Sequence, residues 1–190
     1  MRRLLVAIAV LLASAAVGVG VSYAPDRSVE SLKAEFAPPP SQFIDVDGMQ
    51  VHVRDEGVRD DPMPILLLHG TSASLHTWDG WVTALAPTRR VIRVDLPGFG
   101  LTGPNPSGDY AATSYVPHIN RVLDRVGVAR AVWVGNSFGG EVAWLAAVLA
   151  PERVSALILI DAAGYPFVPE SIPLGFRLAL DPNMAPIVRN

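Results

Sequence analysis

The sequence predicts an α/β domain, a mostly parallel sheet flanked by helices, set behind an apolar N-terminal helix. Three observations predict it. From residue 43 onward, short β-branched apolar runs alternate with longer amphipathic or Ala/Leu-rich segments. Several of the short runs are apolar without interruption, as strands covered on both faces are. The runs at 64–68, 91–94 and 131–134 each lead directly into a glycine-bearing loop. Such loops lie where an open parallel sheet presents its ligands.

The chain opens on Arg2 and Arg3, after which no charged residue occurs from Leu4 to Ala24. At about 1.5 Å per residue that run spans roughly 30 Å, the thickness of a bilayer's hydrocarbon core. Residues 4–24 are read as a single-pass anchor that contacts the bilayer, with Tyr23 at the interface. The arginines stay on the cytoplasmic side and the remainder is exported. The alternative is a signal peptide, cleaved near Ala13-Ser14-Ala15 to leave a secreted or periplasmic product. The expected organisation is an anchor or signal over 1–24, a linker over 25–41, a core over 42–164 and the start of a cap over 165–190. The linker combines a short amphipathic piece with the stiff Pro38-Pro39-Pro40 spacer.

Within the core, Phe43–Val46 and Met49–Arg54 flank Asp47-Gly48, a hairpin signal that implies antiparallel pairing where the sheet begins. Pro64–Leu68 reads as a central strand, followed by the loop HGTSAS and a helix around Trp78–Ala86. Val91–Val94 is a strand leading into DLPGFG, and Tyr115–Val126 is an amphipathic helix. Ala131–Val134 is the next strand, Glu141–Ala150 a helix stopped by Pro151, and Val154–Ile160 a further strand.

Ser137 falls on the turn between the strand at 131–134 and the helix at 141–150, with Gly135 two residues before it and Gly139 two after. A nucleophile held on so sharp a turn is lifted clear of the sheet, and a side chain two residues away on either side would strike the neighbouring chain. The helix start adds amide donors, led by Phe138, and a dipole that favours negative charge. Gly140 would let the helix lie close to the sheet. This is the arrangement that acyl transfer by a serine requires.

Composition excludes other chemistries. With 190 residues, half of them hydrophobic, the chain holds one sizeable core. A net charge of −3 and the lack of a basic run beyond the N-terminus argue against nucleic acid as a partner. There is no cysteine, and so no thiolate nucleophile and no disulfide. Neither a ligand cluster nor a phosphate-cradling glycine loop appears, so no metal and no cofactor is expected. The sequence does not specify an oligomeric state.

Taken in order, HG after the third strand, DLPGFG after the fourth and GNSFGG after the fifth resemble the α/β-hydrolase superfamily, in its serine-nucleophile branch, over about residues 43–160. The resemblance implies that Ser137 is the nucleophile and that the amides of Phe138 and Thr71 form the oxyanion hole. It implies that His69 and Gly70 shape the oxyanion loop, and that the residues after the sixth strand begin a cap. Asp95, Gly98 and Gly100 would shape a loop beside the pocket. His52 and His118 are expected at surface or half-buried positions, His76 at the pocket mouth or a solvated helix start, and Trp78 and Trp81 in the core. The family order places an acid and then a histidine after the serine, whereas all four histidines here precede Ser137. Asp161, at the end of the sixth strand, is a candidate acid, with a fold or pocket-lining role favoured. The expectation is a fold truncated after the sixth strand: a membrane-anchored hydrolase of an ester or related small carbonyl substrate, inactive as this chain for want of a base. The alternative is a non-catalytic binding protein of the same fold.

Overall fold

The structure is a computed structural model that describes residues 2–23, 27–166, 172–175 and 177. Most of the segment expected to begin a cap lies outside the described residues. The chain divides into two compact units, residues 1–36 and 37–190. The first holds α1 (Arg2–Ser22) and α2 (Val29–Phe36). Among the described residues α1 contains the one span, Leu5–Ser22, long and apolar enough to cross a membrane. In α2, which falls in the expected linker, Ser28 caps the amide of Ser31 and Lys33 pairs with Glu30 at 2.8 Å.

The second unit is built on a six-stranded sheet of β1 (Ser41–Val46), β2 (Met49–Gly57), β3 (Ile65–Leu68), β4 (Arg90–Val94), β5 (Ala131–Asn136) and β6 (Val154–Ile160). Their order is β1-β2-β4-β3-β5-β6. β1 pairs antiparallel with β2, and β2 antiparallel with β4, while β4, β3, β5 and β6 run parallel. The sheet is therefore mixed, with its antiparallel part at the start. The hairpin turn has positive φ at both Asp47 (55°) and Gly48 (81°), which matches the right-handed twist of the flanking strands.

Alternation along β3 separates two apolar layers. Leu66 and Leu68 join Trp133 beneath α4 (Ala112–Arg125) and α5 (Phe138–Leu149), whereas Ile65 and Leu67 face Trp78 and Val82 beside α3 (Asp79–Leu85). A 3-10 turn, Leu75–Trp78, leads into α3. Trp78 is core as expected, but Trp81 is 40% exposed and only leans edge-on against it. Helix α5 begins at Phe138, three residues earlier than the sequence suggests, because Gly139 and Gly140 serve its close approach to the sheet and do not break it. β6 pairs with β5 on one side and has no strand on its other side among the described residues, where Ile158 is exposed.

At the end of the sheet away from the glycine loops, Asp55 of β2 takes a two-pronged bond from the Arg90 guanidinium, at 3.0 and 2.8 Å. Both side chains are buried. Removing the carboxylate leaves a buried guanidinium without its bonded partner, so Asp55→Ala is expected to lower the unfolding free energy by about 3 kcal/mol, read from urea melts.

Candidate active site

Ser137 has φ 50° and ψ −117°, a backbone conformation that L-residues with a Cβ rarely adopt. The neighbouring chain dictates this turn. A Cβ on Gly135 would lie 2.2 Å from the Gly139 carbonyl oxygen, and one on Gly139 would lie 2.3 Å from the Leu68 carbonyl oxygen. Backbone cannot withdraw from such contacts as a flexible side chain can, so both positions admit only glycine. A Cβ on Gly140 would come 2.6 Å from that of Ala162, so that glycine receives the chain leaving β6.

The segment after β6 clasps the serine's own peptide groups. The Ser137 amide donates to the Ile160 carbonyl at 3.0 Å, and the Ala163 amide donates to the Ser137 carbonyl at 2.9 Å. The Asn136 side-chain amide adds a bond to the Ile160 carbonyl at 3.2 Å. Asp161, between these contacts, has φ 45° and an exposed side chain. Asn136 went unnoticed in the sequence, where its only signal was a polar residue closing an apolar strand.

The loop after β3 runs against the serine on the other side. A Cβ on Gly70 would meet Ser137 Cβ and Asn136 Oδ1, each at 3.1 Å. Phe138 is the first residue of α5, and its N–H has no partner within the helix. No acceptor among the described residues takes the Phe138 or the Thr71 amide. One of these donors opens the helix directly after Ser137, and the other follows Gly70.

His69 is buried and uses both ring nitrogens. Its Nε2 lies 3.0 Å from the Leu96 amide, which can only donate, so Nε2 is the acceptor. The proton must then sit on Nδ1, which donates to the Gly70 carbonyl at 2.8 Å. Burial pushes its pKa down, and the Gly70 bond and the Asp95 charge offset this only in part. A neutral imidazole so engaged ties the loop after β3 to the loop after β4.

Asp95 is 1% exposed and organises that second loop. Its carboxylate accepts from the amides of Leu75 (2.7 Å) and Leu101 (2.8 Å) and from His52 Nδ1 (2.8 Å). Burial alone would raise its pKa, but the His52 and amide bonds and the His52 charge outweigh it and hold the carboxyl below its ordinary range. A Cβ on Gly100 would fall 2.2 Å from Asp95 Oδ2, and its φ is 54°. Phe99 packs near His69 and Phe138, and Tyr115 meets Phe138 edge-on with ring centres 5.0 Å apart. Burial, with Tyr110 and Asp109 nearby, raises the Tyr115 phenol to about 12.

None of the four histidines bonds to Ser137 among the described residues. His52 and His118, expected at surface or half-buried positions, are 0% and 7% exposed, because β2 lies under the Asp95 loop and His118 is on the inner face of α4. His76 Nδ1 stands 3.5 Å from the Asp79 carboxylate. Among the described residues no three His, Cys, Asp or Glu side chains converge as a metal site.

A mixed α/β sheet with a strained residue at a strand-to-helix elbow, clasped by the chain leaving β6 and approached by the Gly70 loop after β3, defines the class of fold. A family profile described as alpha/beta hydrolase fold matches residues 63–189, and the chain belongs to that family. It is 35% identical over 123 residues to a 2-hydroxymuconate semialdehyde hydrolase of Pseudomonas sp. strain CF600, covering 63% of this chain and 42% of that one. A 2-hydroxy-6-oxo-2,4-heptadienoate hydrolase of Pseudomonas putida strain F1 is likewise 35% identical, with 63% and 44% covered. The chain spans less than half the length of these curated relatives. Among solved structures, a bacterial membrane phospholipase A superposes with TM-score 0.64 at 31% identity, over 87% of this chain and 54% of that one. A meta-cleavage product hydrolase from Pseudomonas fluorescens IP01 gives 0.62 at 32% identity, with 73% and 48% covered.

Gly139→Ala is expected to destabilise the domain by about 1–3 kcal/mol through overpacking against the Leu68 carbonyl. Gly80→Ala, in open space within α3, should stabilise it by up to about 1 kcal/mol, and thermal melts of the pair separate sterics from propensity.

His69 and His118 are both held neutral by burial in the folded chain, whereas unfolded histidine takes a proton near 6.5. The unfolded state therefore binds more protons below that value. Stability should be full above about pH 6.5 and fall as pH drops toward the depressed folded values. His69→Gln should flatten that slope in urea melts taken at several pH values.

Proposed function

We propose that this is a hydrolase that attacks an ester or related carbonyl through Ser137 and forms an acyl-enzyme, with the amides of Phe138 and Thr71 stabilising the oxyanion that precedes it. The single observation that carries this reading is the elbow: a strained serine followed by an unengaged amide, with glycine two positions away on either side where a side chain would strike backbone. Serine attack forms the Oγ–C bond, and negative charge develops on the carbonyl oxygen that the two amides would face. The leaving group then departs and water regenerates the serine. His69 and Gly70 act as loop formers in this scheme. His52 and His69 are engaged elsewhere and none of the four histidines bonds to Ser137, so the base that takes the hydroxyl proton is a group contributed from outside the described residues. Hydrolases among the relatives, including enzymes named for semialdehyde and dienoate substrates, support a small carbonyl substrate. The complete protein should turn over p-nitrophenyl butyrate. Ser137→Ala should lower kcat by about 10⁴-fold or more, since nucleophile and base act as a unit. Retained turnover would remove Ser137 from the reaction.

In this reading α1 is an anchor that leaves the globular unit outside the cytoplasm. It is supported by the arginines that precede the apolar run and by the likeness to a membrane phospholipase. Alkaline phosphatase fused after Pro40 should be active, and activity only from a cytoplasmic reporter at that junction would reverse the orientation.

A further inference from the structure

The bonds around Asp95 continue past His52 to a second hydroxyl. His52 Nε2 lies 2.9 Å from Ser41 Oγ, and His52 Nδ1 lies 2.8 Å from Asp95 Oδ2. The direction of the chain follows from what each group can do. An ionised carboxylate accepts only, so Nδ1 carries a proton, and whenever the ring holds no second proton Nε2 accepts from the Ser41 hydroxyl. Serine, imidazole and carboxylate are thus linked in the order and polarity by which a hydroxyl is activated. Their positions suit the task. Asp95 and His52 are shut off from water, which strengthens the ion–imidazole interaction, while Ser41, at the start of β1, is half-buried. Phe43 stacks on the His52 ring with centres 5.1 Å apart, and the His52 backbone amide donates to Thr102 Oγ1 at 2.9 Å, so one ring face and the backbone that carries the ring are both held.

The geometry points to Ser41 as a second nucleophilic residue, a site of covalent acylation by small activated acyl donors, with His52 as its base and Asp95 orienting that base. In the step, Ser41 Oγ forms a bond to the acyl carbon, its proton passes to His52 Nε2, and the bond to the leaving group breaks with the electron pair departing on that group. The Ser41 amide is already committed to the Pro38 carbonyl at 3.1 Å, so it offers no donor to a developing oxyanion. His52 has no exposed surface from which to activate a water molecule. The acyl group should therefore stay on Ser41, giving one equivalent of modification and no turnover. This site is independent of the reaction assigned to Ser137.

The test uses the 190-residue chain carrying Ser137→Ala, treated with p-nitrophenyl acetate and mapped by peptide mass spectrometry. Ser41 should gain an acetyl group about 100-fold faster than the exposed Ser107, with p-nitrophenolate released as a single burst of one equivalent, in line with the contribution of a positioned base. Ser41→Ala should abolish the burst, and His52→Gln should slow Ser41 acetylation about 100-fold. The comparison of Ser41 with Ser107 within one protein stands even where His52→Gln unfolds. Equal acetylation of the two serines, or no adduct on Ser41, would overturn the assignment, as would His52→Gln reacting at the parent rate in a folded chain.

Discussion

The candidate site depends on one contact of backbone against backbone. Where β5 turns into α5, the Gly139 Cα lies beneath the carbonyls that end β3, and the Gly135 Cα lies beneath the Gly139 carbonyl, at separations that leave no room for a methyl group. Because the first turn of α5 is driven into the sheet, Ser137 must adopt a positive φ, and its amide and carbonyl turn toward the chain leaving β6. The Gly70 loop can then reach the serine from the other side. Side-chain identity matters at this junction chiefly through absence.

A buried polar frame fixes the loops that this contact brings together. Asp95 gathers β2, the 3-10 turn before α3 and the loop after β4 through three short bonds, and His69 joins that same loop to the one that approaches Ser137. A carboxylate with no exposure is tolerable only when its lone pairs are met, and each partner here is a donor locked in its own element. Arg93, two residues before Asp95, performs a similar task from β4 by donating to Glu56, the Leu75 carbonyl and Asp79. Both residues interrupt what would otherwise be a featureless strand and its exit, and both reach the same short turn.

Much of this was legible in the sequence. Glycines flanking Ser137, the Asp47-Gly48 turn and the uninterrupted apolar runs carry their structural meaning locally, and the strands and the elbow follow from them. The helix starts were less legible: α5 begins inside a pair of glycines that propensity reads as a break, and α4 begins at Ala112, ahead of the apolar periodicity. The polar frame was scarcely legible. His52 looks like any polar residue alternating along a strand, and only the fold brings it to Asp95, 43 positions away. His118, on an amphipathic helix, is expected at a surface or half-buried position, yet it lies on the inner face. Periodicity reports which side of an element is covered, but the partners that make a buried polar group acceptable come from distant segments.

The strain at Ser137 sets two kinds of fitness against each other at a single codon. Its backbone conformation is one that glycine adopts freely and serine only under compulsion, a difference on the order of 1–3 kcal/mol. Directed evolution for heat resistance alone would therefore drift toward glycine there, enriching robust, silent variants. A library that kept serine at 137 under such pressure would reveal an accompanying demand for chemistry, and the retained residue would be the more telling because it is locally unfavourable.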